Sequence, residues 1–132
     1  MRENLASNSP FEPVIGFSRA VRAGDTIYVS GTVAYGDDGK IVGVDDYYAQ
    51  ARQAIANIAA VLAQAGASLA DVVRTRMFVT SIDDWEEIGR AHGEVFGEVL
   101  PASTLVAVSG LVAPDMLVEI EADAVITRPS VV

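Results

Sequence analysis

The sequence predicts an α+β fold in which one mixed sheet carries two amphipathic helices on one face. Three observations predict it. Residues 46–65 place apolar side chains at helical spacing, residues 117–126 alternate apolar and acidic side chains, and the elements run strands, helix, strand, helix, strands. The first pattern suits a helix with one buried stripe and the second a strand with one buried face. Two helices laid on one face of a mixed sheet satisfy that order.

Residues 1–14 contain two prolines among polar residues and are expected to form an extended N-terminal arm. Phe17–Arg22 and Thr26–Ser30 read as strands joined by Ala23-Gly24-Asp25, a hairpin signal. Thr32–Tyr35 follows Gly31 and leads into the turn Gly36-Asp37-Asp38-Gly39. From Asp46 to Ala65 the residues Tyr47, Ala51, Ala54, Ile55, Ile58, Val61, Leu62 and Ala65 form one helical stripe. Asp45 or Asp46 can cap its start, and Gly66 stands where a helix stops.

Val72–Thr80 is rich in β-branched residues and reads as a strand. Ser81-Ile82-Asp83-Asp84 resembles a capping box opening a second helix, whose stripe is Trp85, Ile88, His92, Val95, Phe96 and Val99 and which Pro101 ends. Two last strands, Ser103–Ser109 and Leu117–Ile126, flank the turn-like Val112-Ala113-Pro114-Asp115.

At 132 residues, 51% of them hydrophobic, the chain has room for one domain and one core, residues 1–132, and disorder is excluded. A domain of this size buries about two-thirds of its unfolded surface, so the sheet face away from the helices is solvated or docked on neighbours. The net charge of -9 would repel polyanions, which argues against nucleic-acid binding. With no cysteine and a single histidine, thiolate chemistry, disulfides and a multi-histidine metal site are excluded. No P-loop and no G-x-G-x-x-G is present, so no nucleotide cofactor is expected. No apolar run approaches a membrane span and Met1–Ser9 is polar, so a cytoplasmic protein is expected.

Alternation puts Glu119, Glu121 and Asp123 on one face of the last strand and Arg74 and Arg76 on one face of the middle one. If those strands are neighbours, the charges can pair across them as a ladder on an exposed or intersubunit face; the functional alternative is that one carboxylate is drawn into a cleft and positions a water. His92 lies on an apolar stripe, where a lone histidine is more often packed than catalytic, and no G-x-S-x-G accompanies it. Gly31 marks either a bulge or a backbone N–H offered to a ligand.

Ala20-Val21-Arg22-Ala23-Gly24 with Tyr28-Val29-Ser30-Gly31, and Pro101-Ala102 with Val118-Glu119-Ile120-Glu121-Ala122, stand in register with Gln50-Ala51-Arg52-Gln53-Ala54, Gly66-Ala67-Ser68 and Asp71-Val72-Val73 between them. Together they resemble the Rid/YjgF family (reactive intermediate deaminase, endoribonuclease L-PSP-like) over nearly the whole chain. The resemblance implies a chorismate-mutase-like fold and a homotrimer whose sheets form a central barrel, with clefts between subunits. It also implies hydrolysis of enamines and imines such as 2-aminoacrylate to keto acids and ammonia. In the family an arginine directly after Pro-Ala grips the substrate carboxylate, a glutamate of the final strand positions water, and an aromatic residue and the Ser-Gly strand end complete the cleft. Those roles fall on Glu119, on Phe17 in place of the usual tyrosine, and on Ser30 and Gly31.

The arginine position is Ser103, which marks a divergent subgroup. Serine supplies neither the charge nor the bidentate fork. Gly89 and His92 also stand where asparagine and tyrosine are common. Two functions therefore remain open. One is a hydrolase of a small reactive metabolite other than 2-aminoacrylate, with Glu119 orienting water, the Gly31 N–H polarising the substrate, and Ser103 or Thr104 donating hydrogen bonds; His92 is also expected among the substrate-binding residues. The other is a small-molecule binding or regulatory trimer without turnover. Arg19, Arg74 or Arg76 could supply a displaced cation, which spacing alone does not place. Ribonuclease activity is also attributed to the family, but the acidic charge opposes it.

Overall fold

Alternation along the last strand sets the layering. In the computed structural model, which describes residues 1–7 and 9–127, Val118, Ile120, Ala122 and Ala124 are buried and the residues between them are only partly so. The sheet has six strands: β1 (Arg2–Leu5), β2 (Ala20–Ala23), β3 (Thr26–Thr32), β4 (Val72–Val79), β5 (Ala102–Ala107) and β6 (Val118–Val125). Their spatial order is β1-β2-β3-β6-β4-β5, with β4 and β5 parallel and the other pairs antiparallel. Helices α1 (Tyr47–Gln64) and α2 (Trp85–Phe96) cover the inner face. The mixed α+β architecture with two main helices is the one expected from the sequence. Parallel strands need a crossover, and α2 supplies it between β4 and β5.

The core lies between inner face and helices, where Ile27, Ile55, Ile58, Leu62, Ile88, Phe96 and Ile120 are almost entirely buried. Asp46 caps α1 by accepting the Ala49 N–H at 3.0 Å. At its other end Gly66 adopts φ +87°, and the Ala67 N–H reaches back to the Leu62 carbonyl at 2.8 Å. That is a Schellman stop, and its positive φ is the reason glycine stands there. Helix α2 ends at Phe96, short of the expected Val99. Leu100, ahead of Pro101, takes φ +52°, and a residue before proline is driven out of the helical region. The Ser81 hydroxyl accepts from the Asp83 N–H in a short 3-10 turn, whereas the reciprocal capping box forms at Ser68 and Asp71.

The arm differs most from expectation. Arg2–Leu5 pairs antiparallel with β2, and Glu12–Gly16 forms a single π-helical turn in which Glu12 is buried. Asn8 and residues 128–132 lie outside the described residues. Strand β2 begins at Ala20 rather than Phe17, which leaves Phe17, Ser18 and Arg19 as a connecting loop. Among the described residues no helix is long and apolar enough to cross a membrane.

Gln50 ties the layers together. It is fully buried on α1; its amide donates to the Gly43 carbonyl at 3.1 Å and the Asp115 carbonyl at 2.9 Å, and its oxygen accepts the Leu117 N–H at 2.9 Å. Leucine fits the volume but leaves the Asp115 carbonyl and the Leu117 N–H without partners, each costing about 1–3 kcal/mol, while the Gly43 carbonyl keeps the Asp46 N–H at 3.0 Å. Gln50→Leu should therefore destabilise the fold by roughly 2 kcal/mol or more, read as a lowered urea midpoint at unchanged slope.

Candidate functional site

Strands β3 and β6 pair in step as far as Val29 opposite Ala122, and the next pair is Thr32 with Ile120. Ser30 and Gly31 thus both stand against Glu121, a bulge with two residues facing one. The bulge is well anchored. The Ser30 hydroxyl donates to the Ser18 carbonyl at 2.7 Å, the Ser30 N–H to the Arg19 carbonyl at 3.0 Å, and the Thr32 hydroxyl to the Ser30 carbonyl at 2.8 Å.

Gly31 lies against the Glu119 carboxylate. A Cβ at that position would stand 2.5 Å from Glu119 Oε2 and 2.8 Å from its Cδ. Backbone and carboxylate approach this closely because the residue has no side chain.

On the other side of the bulge, Arg19 donates from Nη2 to the Gly31 carbonyl. Its guanidinium lies 5.5 Å from the centre of the Phe17 ring, a cation–π geometry. Buried Glu12 faces the same guanidinium, while its own oxygens accept from the Ser7 N–H and the Ser7 hydroxyl. Arg19 Nε is buried without a hydrogen-bond partner among the described residues. Two hollows of about 560 and 700 Å³ flank this wall, the first reaching Asn57 and Gln64 on α1, the second lined by Glu12, Phe17, Ser18 and Ser30.

Burial pushes the Glu119 carboxyl above the ordinary carboxylate range; Arg19 pulls it back down and Glu121 adds to the rise. Arg19 is itself shifted down by burial, against the opposing pull of Glu12 and Glu119. A half-buried carboxyl with raised proton affinity beside a fixed backbone suits a general base.

A second group lies on the opposite face of the sheet. Ser103 of β5 pairs with Thr75 of β4, and the buried Thr75 hydroxyl donates to Ser103 Oγ at 2.8 Å. Thr75 Oγ1 also lies 2.8 Å from His92 Nε2. A hydroxyl has one proton, so with that proton given to Ser103 the imidazole Nε2–H is the donor to Thr75. The His92 ring packs on Phe96 with centroids 4.7 Å apart. Desolvation holds the His92 pKa below its ordinary value, so the ring is neutral at pH 7 and the chain from His92 to the exposed Ser103 carries no charge.

Within one chain, then, Phe17, Ser30, Gly31 and Glu119 come together, and His92 and Ser103 come together elsewhere. Thr104 joins neither. It pairs with Arg76, whose guanidinium sits 3.2 Å from Glu121 and 3.4 Å from Asp123, and Arg74 lies 3.9 Å from Asp123. Strands β4 and β6 are neighbours, and their charges form the ladder their alternation suggested. Of the three arginines considered as a displaced cation, Arg19 reaches the Glu119 wall and the other two belong to the ladder. Glu12 and Thr75 had not been singled out. Glu12 sits in a segment read as an arm, whereas Thr75, an inward-facing hydroxyl between two outward arginines, was visible to period-two reading.

Comparison with known proteins places the chain among relatives of similar sequence and fold. The family model described as Endoribonuclease L-PSP matches residues 7–126. A solved structure of a YjgF/YER057c/UK114 family member from Mycobacterium tuberculosis superposes with a TM-score of 0.86 at 47% identity, covering 96% of this chain and 100% of that one. An uncharacterized protein of Streptomyces coelicolor is 38% identical over 91% of this chain and 89% of its own length. The 3-aminoacrylate deaminase RutC of Acinetobacter baylyi is 36% identical over 82% of this chain and 85% of its own.

The neutral His92 has a thermodynamic signature. Its folded pKa lies below its unfolded one, so stability is full above the unfolded value and is lost as pH falls from there through the folded value. Glu119, shifted upward, titrates in the opposite sense in wild type and variant alike, and cancels from their difference. The stability gap between wild type and His92→Gln, measured by urea unfolding, should therefore narrow as pH is lowered from 8 to 5. The His92 ring-proton midpoint by NMR should fall below 6.5.

Proposed function

Since the chain belongs to the Endoribonuclease L-PSP family, the Rid/YjgF group, we propose that it is a deaminase-like hydrolase of a small imine or enamine whose substrate differs from 2-aminoacrylate. One observation carries this: the Glu119 carboxyl, desolvated and seated against the Gly31 backbone, is poised as a base. In the proposed step the protonated imine is attacked: Glu119 takes one proton from water as the water oxygen bonds to the C=N carbon and the π electrons pass to nitrogen, giving a neutral carbinolamine. Glu119 then returns that proton to nitrogen, an oxygen lone pair forms C=O as the C–N bond breaks, and the hydroxyl proton passes to the departing ammonia, yielding the carbonyl product and ammonium.

The altered substrate is argued from the Ser103 edge. Loss of a charge-assisted hydrogen bond costs about 1.5–3 kcal/mol, or roughly ten- to a hundredfold in affinity. With Ser103, Thr75 and His92 all uncharged, that edge suits a neutral polar group rather than a carboxylate. The two groups occupy opposite faces of one sheet, so a single cleft holding both needs a second copy of the chain. A homotrimer with clefts between subunits supplies one, and the exposed Tyr28 and Val106 offer apolar area for it. Action on a free metabolite suits a cytoplasmic setting. The net charge of -9 opposes RNA as a substrate.

Ammonia release from imines generated in situ tests this. Glu119→Gln should lose at least about 10²-fold in kcat, the usual contribution of a positioned base. Ser103→Arg should gain roughly tenfold or more in kcat/KM for a carboxylate-bearing imine while losing activity on the preferred substrate. A trimer that binds the imine without releasing ammonia would make the protein a binding module instead.

A further inference from the structure

We propose that Arg19 is a positioning residue for this site: by fastening the Gly31 carbonyl from one side, it fixes the bulge against which Glu119 is seated on the other. The inference rests on Glu119 acting as the base. Gly31 is held between two charged groups. Its carbonyl accepts from Arg19 Nη2, and its Cα faces Glu119 with no room for a Cβ. A shift of the bulge therefore moves the surface on which the carboxylate rests.

The guanidinium is itself held in place, stacked over Phe17 and facing buried Glu12, whose oxygens are occupied by Ser7. Arg19 is thus bonded to the bulge and lies within electrostatic reach of Glu12 in the π-helical turn and of Glu119 in β6. Its Nε is buried without a hydrogen-bond partner among the described residues. The guanidinium serves through its charge and through its bond to the bulge.

The surroundings of Glu119 leave Arg19 as the cation that counts. Along its own strand stands Glu121, which is engaged by Arg76. From β4 it faces Phe78, which carries no charge. Arg76 and Arg74 lie further along, held by Glu121 and Asp123. From β3 it faces Gly31, with Arg19 behind it and Glu12 beyond. Arg19 is the group that pulls the Glu119 carboxyl downward, against burial and Glu121. Without it, a base would hold its proton to higher pH and act less well near neutrality.

The test compares wild type, Arg19→Gln and Arg19→Lys, folded and assembled as wild type by circular dichroism and light scattering. The Glu119 carboxyl is followed by ¹³C NMR on carboxyl-labelled protein, its signal assigned by its absence in Glu119→Gln. In Arg19→Gln the Glu119 midpoint should move upward and kcat for the imine should fall with KM little changed, the loss being larger at pH 6 than at pH 8. In Arg19→Lys, which keeps the charge without the planar fork, the midpoint should return most of the way. An unmoved midpoint in Arg19→Gln overturns the proposal. If that variant does not fold, Arg19→Lys decides: lowered kcat at a near-native midpoint supports it, and unchanged kcat overturns it. An inert wild type sinks the hydrolase reading by itself, and the NMR midpoints still decide whether Arg19 governs Glu119.

Discussion

A strand with a neighbour on each side has two faces, and β6 gives one to hydrocarbon and the other to carboxylates. Its burial against α1 and α2 fixes the register of β3 and β4 on either side, because a slip of one residue would drive Glu119, Glu121 and Asp123 into the core. With that register set, each carboxylate meets a different neighbour. Asp123 and Glu121 fall beside Arg74 and Arg76 in a half-exposed ladder, where such pairs are worth little individually. Glu119 falls beside Phe78 and Gly31. Three carboxylates on one face of one strand thus have different chemistry, and the difference arises from the strands alongside.

The bulge extends the same logic. One extra residue in β3 changes the step of the chain just where Glu119 needs a flat neighbour, and glycine makes that approach possible. The residues that hold the bulge come from the stretch ahead of β2: Ser18, Arg19 and, through Arg19, Phe17 and Glu12. Strand β2 starts at Ala20, yet the Arg19 backbone still bonds to Leu5 at 2.8 Å and Ser30 at 3.0 Å on either side, so this residue joins the ladder and holds the bulge at once.

Long patterns were legible in the sequence and long-range pairings were not. Helix α1 was expected over 46–65 and spans 47–64, and β6 was expected over 117–126 and spans 118–125, because eight or more residues in phase average out local ambiguity. Strand β1 was missed because Arg2–Leu5 is short and polar, and its partner lies well along the chain. Glu12 was missed for the same reason, since its burial depends on a turn that the arm makes back toward Arg19. For the site, family likeness gathered Glu119 and Ser103, but the pleat sends them to opposite faces. Ser103 and Thr104 are adjacent in a strand, so only one of the two faces His92, and it is Ser103.

Electrostatics then constrain what the proposed chemistry can accept. Around the bulge, two carboxylates, Glu12 and Glu119, stand against the single guanidinium of Arg19, and the whole chain is strongly acidic. An anionic substrate approaching that wall meets repulsion, and the edge at Ser103 offers no cation to offset it. An imine is most readily attacked by water as its protonated iminium, which is a cation. Such a group is drawn by the field that repels a carboxylate. On the proposed function, serine in place of a cationic clamp inside an acidic protein is consistent as a whole: the site would give up affinity for small imino acids and keep the features that favour a protonated imine lacking a carboxylate.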